Sequence, residues 1–415
     1  MINYLYDCYR ILNKVYSDGA FLKQAILSTD IEEKNRALTV KTCYGVLDND
    51  IRLSYYIKKL CEKSPKLVIR TILKIAMYDM EFLGKRDYAV IDNAVELTKK
   101  LGKGGASGFV NAVLRKFIKS EIPLPENGGA EYFSVKYSYP VFAVEKIIRD
   151  YGEKVGEEIM GTTGGKTFVR FEKDGEKYLT EHGVRYEKTC FENLFVCENF
   201  VRNADFDKGI YTFQSIGSVA ICDVVEKGEK LLDCCSAPGG KSVLLSDKFD
   251  SVTACDVYPH RAELIRAYAN RMGKKNIEVV VADSSVFNPD FKERFDAVLC
   301  DVPCSSYGVA SDNPDVKLDG KIKDINEIKK VQLSILENVS KYVKTGGFLY
   351  YSTCSIFFEE NIENVRSFLK NHDEYEIVKT NSELPHSDID GTMQFLPNIS
   401  MGQGFYTAKL KRVKQ

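Results

Sequence analysis

The pattern of apolar and polar positions changes along the chain from a helical spacing to a strand-like one. Near residue 95 apolar side chains recur at spacings of three and four, in Val90, Ala94, Leu97 and Leu101. This spacing predicts helices that bury one face. From residue 230 onward short apolar runs alternate with helical segments, at 231–233, 252–256, 279–283, 295–301 and 348–352. Buried strands separated by helices predict a doubly wound, mostly parallel sheet and an α/β fold class.

Breaks in the pattern predict three domains. Proline and glycine cluster in residues 122–129, a composition that neither helices nor strands tolerate well, so we expect a linker there. The predicted domains are an all-α domain at 1–122, a small α+β subdomain at 130–215 and an α/β domain at 216–415. In the subdomain a helical stretch around 144–159 is expected before a strand at 167–171. A length of 415 residues suits two or three cores.

Composition excludes several classes of protein. With 44% hydrophobic and 28% charged residues the chain can bury a core. No run of about 18 apolar residues could span a bilayer. Asp7, Arg10, Lys14 and Asp18 interrupt the first 21 residues, where a secretory signal needs an unbroken apolar segment. We therefore expect a cytoplasmic protein without a membrane partner.

The net charge of -1 is the sum of a basic first part of the chain and an acidic remainder. Residues 1–120 hold 21 Lys and Arg against 13 Asp and Glu, a net of +8, which leaves -9 for the remainder. A basic domain beside an acidic one suggests a polyanionic partner for the first. The alternative is a set of solvated helix faces that are rich in lysine.

Cysteine and histidine spacing gives no sign of a metal site. The chain has 12 cysteines, without Cys-x-x-Cys spacing, and only four scattered histidines. We expect no bound metal. Most cysteines sit among apolar neighbours and are expected in the core, as reduced thiols that pack like small hydrophobic side chains: Cys8, Cys43, Cys61, Cys222, Cys255 and Cys300.

Aspartates end four of the five apolar runs, at Asp233, Asp256, Asp283 and Asp301. Ligands of a doubly wound sheet bind beyond the carboxyl ends of its strands, so these side chains should line one edge. Asp256 is placed to accept hydrogen bonds from ribose hydroxyls, and Asp283 from an adenine amino group. The alternative is that each aspartate only caps the helix that follows.

A glycine-rich turn follows the first run. Gly239 and Gly240 would let the backbone approach a ligand closely, and amides at the next helix start would face its carboxylate. Lys241 adds a positive charge. The turn matches only half of the P-loop pattern, so it gives little support to nucleotide hydrolysis as an alternative function.

Two cysteines stand in unlike contexts, Cys304 after Asp-Val-Pro and Cys354 between Thr and Ser. Methylating carbon 5 of a pyrimidine requires a thiolate to add to carbon 6, because the ring is otherwise too electron-poor to attack a methyl sulfonium. A free thiol of pKa about 8.5 is mostly protonated at neutral pH, so the attacking cysteine needs positive potential or helix amides nearby. The residues alone leave open which cysteine attacks. Asp301 could bind protonated cytosine N3.

These motifs together resemble the RsmB (Fmu, Sun) type of ribosomal RNA cytosine-C5 methyltransferases, within the RNA 5-methylcytosine methyltransferase superfamily. Residues 233–241 are similar to the family's cofactor motif and 301–308 to its Pro-Cys motif. Residues 351–355 with 359–361 are similar to its Thr-Cys motif. Segments 71–76, 89–97 and 109–115 are similar to the NusB-like RNA-binding domain of this subgroup. The resemblance spans almost the whole chain.

The resemblance implies a Rossmann-like class I methyltransferase domain behind a NusB-like helical domain. It implies transfer of a methyl group from S-adenosylmethionine to carbon 5 of a cytosine in 16S ribosomal RNA, of the position-967 type. Cys354 would be the nucleophile and Cys304 would assist release. The RNA is expected to be unassembled or in an early intermediate, and the protein to be a monomer. The implied cofactor contacts are Cys235, Ser236, Ala237, Pro238, Gly239, Gly240, Lys241, Asp256, Asp283 and Asp301.

The chain departs from the family pattern at two motifs. The glutamine motif at 214–218 lacks its usual acidic residue, and the arginine pair after the Pro-Cys motif is replaced around Ala310, Ser311 and Asp312. Fewer cations beside the target loop would weaken phosphate contacts. The alternative functions are a transfer RNA cytosine-C5 methyltransferase, which the basic helical domain argues against, and a catalytically idle RNA-binding assembly factor. Retention of both Cys304 and Cys354 argues against the idle factor.

Overall fold

The computed structural model describes residues 2–126, 128–318 and 324–414, and the chain folds into two units. The first comprises the described residues of Met1–Gly161 and Asn313–Lys323, the second those of Thr162–Asp312 and Asp324–Gln415. Asn127 of the predicted linker and Gln415 of the predicted third domain lie outside the described residues. The other linker residues form neither helix nor strand, and they lie within the first unit.

The predicted domain boundaries differ from these units. The predicted subdomain at 130–215 is divided, because its helices up to Gly161 belong to the first unit while its strands belong to the second. The segment from Asn313, far along the chain, also belongs to the first unit. Burial of apolar helix faces groups these segments by contact in space, which the linker composition does not reveal.

The first unit is all helical in its described residues. Its helices are α1 (Ile2–Asp18), α2 (Leu22–Leu27), α3 (Glu33–Asp48), α4 (Asp50–Leu60), α5 (Leu67–Glu81), α6 (Asp87–Lys100), α7 (Ser107–Lys119), α8 (Ala130–Tyr137), α9 (Val141–Tyr151) and α10 (Glu153–Met160). Helix α5 is buried on nearly all sides, as its almost continuous apolar sequence requires. Gly45 on α3 lets this helix approach, since a Cβ there would meet the Tyr78 ring at 2.0 Å.

A short 3-10 helix, Pro314–Lys317, completes the first unit. The Lys317 ammonium is buried and contacts Asp48 Oδ1 at 2.6 Å. Asp315, also buried, accepts a hydrogen bond of 3.2 Å from the backbone N–H of Leu22. The residues that stand where the family has its arginine pair therefore lead directly into a segment fixed within the helical unit.

The second unit begins with a small antiparallel sheet of strand order β2-β3-β1-β4. Its elements are β1 (Thr167–Phe171), α11 (Gly175–Glu181), β2 (Tyr186–Lys188), β3 (Leu194–Cys197), α12 (Ala204–Asp207) and β4 (Tyr211–Phe213). The predicted strand at 167–171 coincides with β1. Its apolar residues Val169 and Phe171 are buried against Tyr211 in a small core of their own.

The large sheet of the second unit carries the predicted parallel strands. The remaining elements are α13 (Ile216–Asp223), β5 (Gly228–Asp233), α14 (Gly240–Leu245), β6 (Phe249–Asp256), α15 (Pro259–Arg271), β7 (Ile277–Val281), β8 (Phe295–Asp301), α16 (Ile325–Val339), β9 (Val343–Thr353), α17 (Ile362–Leu369), β10 (Tyr375–Ile377), β11 (Ser387–Ile389), β12 (Thr392–Phe395) and β13 (Phe405–Arg412). The strand order is β11-β12-β13-β9-β8-β5-β6-β7, with β10 beside β13.

Strands β5 to β9 pair in parallel, and β10 to β13 add an antiparallel edge. The predicted mostly parallel, doubly wound α/β fold is confirmed. One face of the sheet packs on α16 and α17 and the other on α13 and α14. The strand order reverses between β5 and β8, which is where a doubly wound sheet opens a ligand crevice.

Candidate active site

The two cysteine motifs meet at the carboxyl ends of β8 and β9. These strands are parallel neighbours, and Asp301 lies opposite Ser352 in their register. Cys304 follows β8 by three residues and Cys354 follows β9 directly. Their sulfur atoms are 2.9 Å apart and only partly exposed. The structure therefore brings together two thiols that are fifty positions apart in the sequence.

The two thiols differ in acidity. A hydrogen bond from the Cys304 thiol is the main cause that lowers the pKa of Cys354, and the Ser306 hydroxyl, 3.3 Å from Cys354 Sγ, adds to it against the opposing effect of burial. That same hydrogen bond, burial and the Glu360 carboxylate raise the pKa of Cys304 well above its ordinary value. We expected positive potential or helix amides to activate the attacking thiol. When Cys354 is ionised, the Cys304 thiol and the Ser306 hydroxyl can donate to it instead, and Lys241 contributes less.

Backbone contacts fix the loop that follows Cys304. The N–H of Gly308 donates to the carbonyl of Cys354 at 3.0 Å, and the N–H of Gly404 donates to the carbonyl of Gly308 at 2.6 Å. A Cβ on Gly308 would lie 2.1 Å from the Gly404 carbonyl oxygen. This close approach explains why both positions are glycine.

An ion pair connects the glycine-rich turn to the cysteine motifs. Lys241 Nζ lies 2.7 Å from Asp301 Oδ2, and Asp301 Oδ1 accepts a hydrogen bond of 2.7 Å from the Ser352 hydroxyl. Burial opposes the charge on Lys241, but the Asp301 carboxylate raises the pKa of this ammonium above its ordinary value. Lys241 therefore stays cationic beside the thiol pair.

The glycine-rich turn connects β5 to α14 and borders a cavity of about 180 Å³. Gly239 has φ of 106°, a conformation that favours glycine, and a Cβ there would meet the backbone of Ile265 at 3.2 Å. The cavity is lined by Phe213, Gln214, Ser215, Ser218, Asp233, Ser236, Ala237, Pro238, Gly240, Lys241, Tyr268 and Asp301. Six predicted cofactor residues, Ser236, Ala237, Pro238, Gly240, Lys241 and Asp301, are thus brought to one cavity.

The other four predicted cofactor residues, Cys235, Gly239, Asp256 and Asp283, do not line this cavity. Asp256 is buried and accepts from the N–H of Tyr258 at 3.1 Å, and Asp283 is exposed and accepts from the N–H of Ser285 at 2.9 Å. Both carboxylates thus bond the backbone two residues on, as in an Asx turn. Such a local hydrogen bond is the kind of contact expected if each aspartate only caps the segment that follows it.

Asp233 offers a test of whether the cavity fits a charged ligand. Its Oδ2 accepts from the Ser242 hydroxyl at 2.5 Å, but its buried Oδ1 has no hydrogen-bond partner among the described residues. Burial raises the pKa of Asp233 to about 6. An unpaired carboxylate oxygen beside Lys241 suits the zwitterionic amino acid end of S-adenosylmethionine, so the residues present fit this cofactor.

Sequence reasoning missed several residues of the site. Tyr268 and Arg261 are on α15 and carry no motif signal; the Arg261 guanidinium bonds the Ala237 carbonyl at 3.2 Å and lies 3.5 Å from Asp256. Gln214, noted only as part of a motif, donates to the carbonyl of Gly240 at 3.1 Å and accepts from Arg170 at 2.7 Å. Ser306 could have been found from the sequence, because it lies two residues after Cys304.

Neither a metal centre nor a membrane segment emerges from the described residues. Across residues 2–126, 128–318 and 324–414, no group of three His, Cys, Asp or Glu side chains is arranged to hold a metal ion. In the same ranges every helix is too short or too polar to cross a bilayer. Of the six cysteines expected in the core, five are buried and Cys61 is half-buried.

The fold and the site define the class: an α/β methyltransferase with a Rossmann-like sheet and S-adenosylmethionine as its cofactor, joined to an all-helical unit. Residues 221–411 match the family model for the 16S rRNA methyltransferase RsmB/F, and residues 5–119 match the NusB family model. The chain belongs to the RsmB family of ribosomal RNA small subunit methyltransferases. It is an RNA methyltransferase that acts on small subunit ribosomal RNA.

Relatives support this assignment over the full chain. The chain is 30% identical to the probable ribosomal RNA small subunit methyltransferase B of Bacillus subtilis (strain 168), covering 96% of this chain and 95% of that protein. It is 27% identical to ribosomal RNA small subunit methyltransferase B of Pasteurella multocida (strain Pm70), covering 97% and 95%.

Solved structures support the fold. The crystal structure of PH0851 has a TM-score of 0.83 at 23% identity and covers 99% of this chain and 98% of its own. The structure of NSun6 from Pyrococcus horikoshii with SFG has a TM-score of 0.58 at 18% identity, covering 66% of this chain and 98% of its own. Both show that the arrangement of helices and strands recurs in solved proteins.

Proposed function

We propose that this enzyme methylates carbon 5 of a cytosine in 16S ribosomal RNA, at a site of the position-967 type, through a covalent bond between Cys354 and carbon 6. One observation carries the proposal: two thiols lie 2.9 Å apart, and the pKa of one is lowered while that of the other is raised. A nucleophile must be a thiolate, whereas a group that assists its departure must hold a proton.

Cys354 is the proposed nucleophile. Its thiolate adds to carbon 6: a carbon–sulfur bond forms, the π bond between carbons 5 and 6 breaks, and its electron pair becomes available at carbon 5 to bond the methyl group. Asp301 is the proposed partner of the base in this step; its carboxylate contacts Lys241 and Ser352. A carboxylate has lone pairs for further donors, so Asp301 can also bind protonated N3 and draw electrons toward it.

Cys304 is the proposed assistant in release. Once carbon 5 carries the methyl group, a base removes its proton, the double bond between carbons 5 and 6 re-forms, and the Cys354 thiolate is expelled. The Cys304 thiol, whose raised pKa keeps it protonated, donates a hydrogen bond to that departing thiolate. The same bond that favours ionisation of Cys354 therefore makes it a better leaving group.

The cavity beside Asp301 is the proposed cofactor site. Bound there, S-adenosylmethionine supplies the methyl group as an electrophilic sulfonium. Asp233 Oδ1 and the backbone of the turn would face its amino acid end. The remaining predicted contacts, Cys235, Gly239, Asp256 and Asp283, stay part of the proposal; the Asx-turn bonds of the two aspartates leave other carboxylate lone pairs for ribose or adenine donors.

Single-cysteine variants test the covalent mechanism. Each variant is incubated with 16S ribosomal RNA and S-adenosylmethionine, and an RNA–protein adduct that survives denaturation is measured. Cys304→Ala should accumulate the adduct because release loses its hydrogen-bond donor, and Cys354→Ala should form none. Cys190→Ala, at an exposed cysteine in the loop between β2 and β3, is the matched control and should behave as wild type. The opposite pattern in the first two variants would reverse their roles.

The proposed chemistry also restricts the RNA. The target base must leave its stack to reach the thiols and the methyl donor, so loops and unassembled RNA should be preferred over regular duplex. Methylation of a 16S fragment should fall when a complementary strand pairs with the target loop. Equal rates on the paired and unpaired fragments would contradict this part of the proposal. The monomeric state stays a prediction.

A further inference from the structure

A buried carboxyl group lies between the two cysteine segments and is not one of the reacting groups in the mechanism above. Glu360 precedes α17, and its side chain is completely buried within the second unit. A buried carboxylate is costly unless several donors satisfy it. Its partners therefore indicate why it is there.

Four hydrogen bonds converge on this carboxylate, and three come from residues next to the cysteines. Oε1 accepts from the N–H of Ser305 at 2.8 Å and from the Gln332 side chain at 3.0 Å. Oε2 accepts from the hydroxyls of Ser305 and Ser355, each at 2.5 Å. Ser305 follows Cys304 and Ser355 follows Cys354, so one side chain holds both segments.

The side-chain amides of Gln332 and Asn361 extend this frame of hydrogen bonds around Glu360 to the residue before each cysteine. Gln332 also donates to the carbonyl of Pro303 at 2.9 Å. Asn361 accepts from the Thr353 hydroxyl at 2.6 Å and donates to the carbonyl of Ser355 at 3.0 Å. The residue before and the residue after each thiol are thus bonded to groups of α16 or of the segment that leads into α17.

The contacts of Glu360 differ from those of an ordinary structural ion pair. Among the described residues no lysine or arginine forms a salt bridge with it. A frame of neutral donors leaves its negative charge near Cys304, where it helps to keep that thiol protonated. Because a misplacement of about 1 Å can cost two orders of magnitude in rate, the spacing of two reacting thiols needs such a frame.

We propose that Glu360 is a positioning residue that sets the separation of the Cys304 and Cys354 thiols. The inference rests on the proposed function, in which both thiols act in one turnover. Glu360 itself touches neither the RNA base nor the methyl donor in this proposal. It acts through Ser305 and Ser355.

The test measures thiol separation apart from catalysis. Diamide oxidises two adjacent thiols: their S–H bonds break, one S–S bond forms, and the N=N bond of diamide takes up two electrons and two protons. The rate of the Cys304–Cys354 disulfide, mapped by peptide mass spectrometry, reports their proximity. Glu360→Ala should slow it several-fold and lower kcat by about 100-fold, while Kd for S-adenosylmethionine stays near wild type.

Two further variants separate positioning from a general effect on folding. Glu360→Gln should recover most of both rates, because its amide oxygen can accept from Ser305 N while its NH₂ donates to the two hydroxyls. Glu363→Gln makes the same change at a half-exposed residue paired with Lys329 at 3.1 Å, and should match wild type. Unchanged disulfide and methylation rates in a folded Glu360→Ala variant would overturn the inference.

Should Glu360→Ala fail to fold, the Ser305→Ala/Ser355→Ala double variant replaces it. It removes the two hydroxyl donors and should also slow disulfide formation; an unchanged rate would overturn the inference. Failure of the proposed function has a different signature. Full activity of Cys354→Ala would reject Cys354 as the nucleophile, whereas a slow disulfide in Glu360→Ala would still support the positioning role.

Discussion

Two pairs of cysteines, one in each unit, show that proximity of thiols alone does not make a reactive site. In the helical unit Cys8 and Cys43 are buried where α1 packs on α3. Their thiols point at carbonyl groups, of Thr39 and of Cys8, at 3.8 Å. In the second unit Cys354 faces the thiol of Cys304 and the hydroxyl of Ser306.

The difference lies in what surrounds each sulfur atom. Burial, with further effects from Cys43 and Asp79, raises the pKa of Cys8 well above its ordinary value, because apolar surroundings and hydrogen-bond acceptors disfavour a thiolate. Donors around Cys354 overcome burial and lower its pKa. A pair of cysteines becomes chemically useful when hydrogen-bond donors face one member and strand ends hold both beside a cavity.

The largest expected difference comes from making the same cysteine-to-alanine substitution in each of the two pairs. Cys354→Ala should reduce RNA methylation by about 10⁴-fold or more, since it removes the bonding atom. Cys43→Ala should leave kcat unchanged and lower the free energy of unfolding by about 1 kcal/mol through lost packing. Single-turnover methylation assays and urea unfolding measure the two. A large loss of kcat with Cys43→Ala would break the comparison.

A second test extends the comparison to buried carboxyl groups. Asp79 of the helical unit contacts the Lys85 ammonium at 3.0 Å and accepts from the Tyr4 hydroxyl, whereas Asp233 has one oxygen without a partner among the described residues. Burial raises the pKa of Asp233 from 3.8 to about 6, so the folded state binds this proton more tightly than the unfolded chain. Its contribution to stability is present below pH 3.8 and is lost as pH rises to about 6.

This loss should amount to about 3 kcal/mol in the free energy of unfolding of the protein without cofactor. Asp233→Asn cannot titrate and should remove that part of the slope between pH 4 and 6, which urea unfolding at several pH values measures. An identical slope in the variant and the wild type would show that the unpaired oxygen is solvated or paired in solution.

The smallest expected effect tests whether the Ser306 hydroxyl helps to lower the pKa of Cys354. Iodoacetamide should alkylate Cys354 at a lower pH than an ordinary thiol, and Cys8 only on unfolding. Ser306→Ala removes one group that can donate to the Cys354 thiolate, so the pH midpoint for alkylation of Cys354 should rise. Ser311→Ala, whose hydroxyl bonds the carbonyl of Gly402 instead, should leave the midpoint in place. Equal profiles for both variants would exclude Ser306 as a donor.

Much of the fold and part of the site follow from the sequence because they depend on local pattern. Alternating apolar runs predicted the parallel sheet, in which β8 has the predicted bounds. The bounds of β1, in the small antiparallel sheet, were also predicted to the residue. The glycine-rich turn and the two cysteine motifs identified most residues of the cavity and both thiols. These signals can be read from the sequence alone, because strand burial, tight turns and reactive side chains each need particular residues at short spacing.

Only the tertiary structure shows which groups surround each thiol and which segments fold together. The residues left the choice between Cys304 and Cys354 open, because pKa depends on groups brought close from distant positions. The same holds for Glu360, which joins segments fifty-five and five residues away, and for Lys317, which reaches Asp48 across 269 positions. Such contacts arise only when strand ends and helix faces meet in space, and no local pattern encodes them.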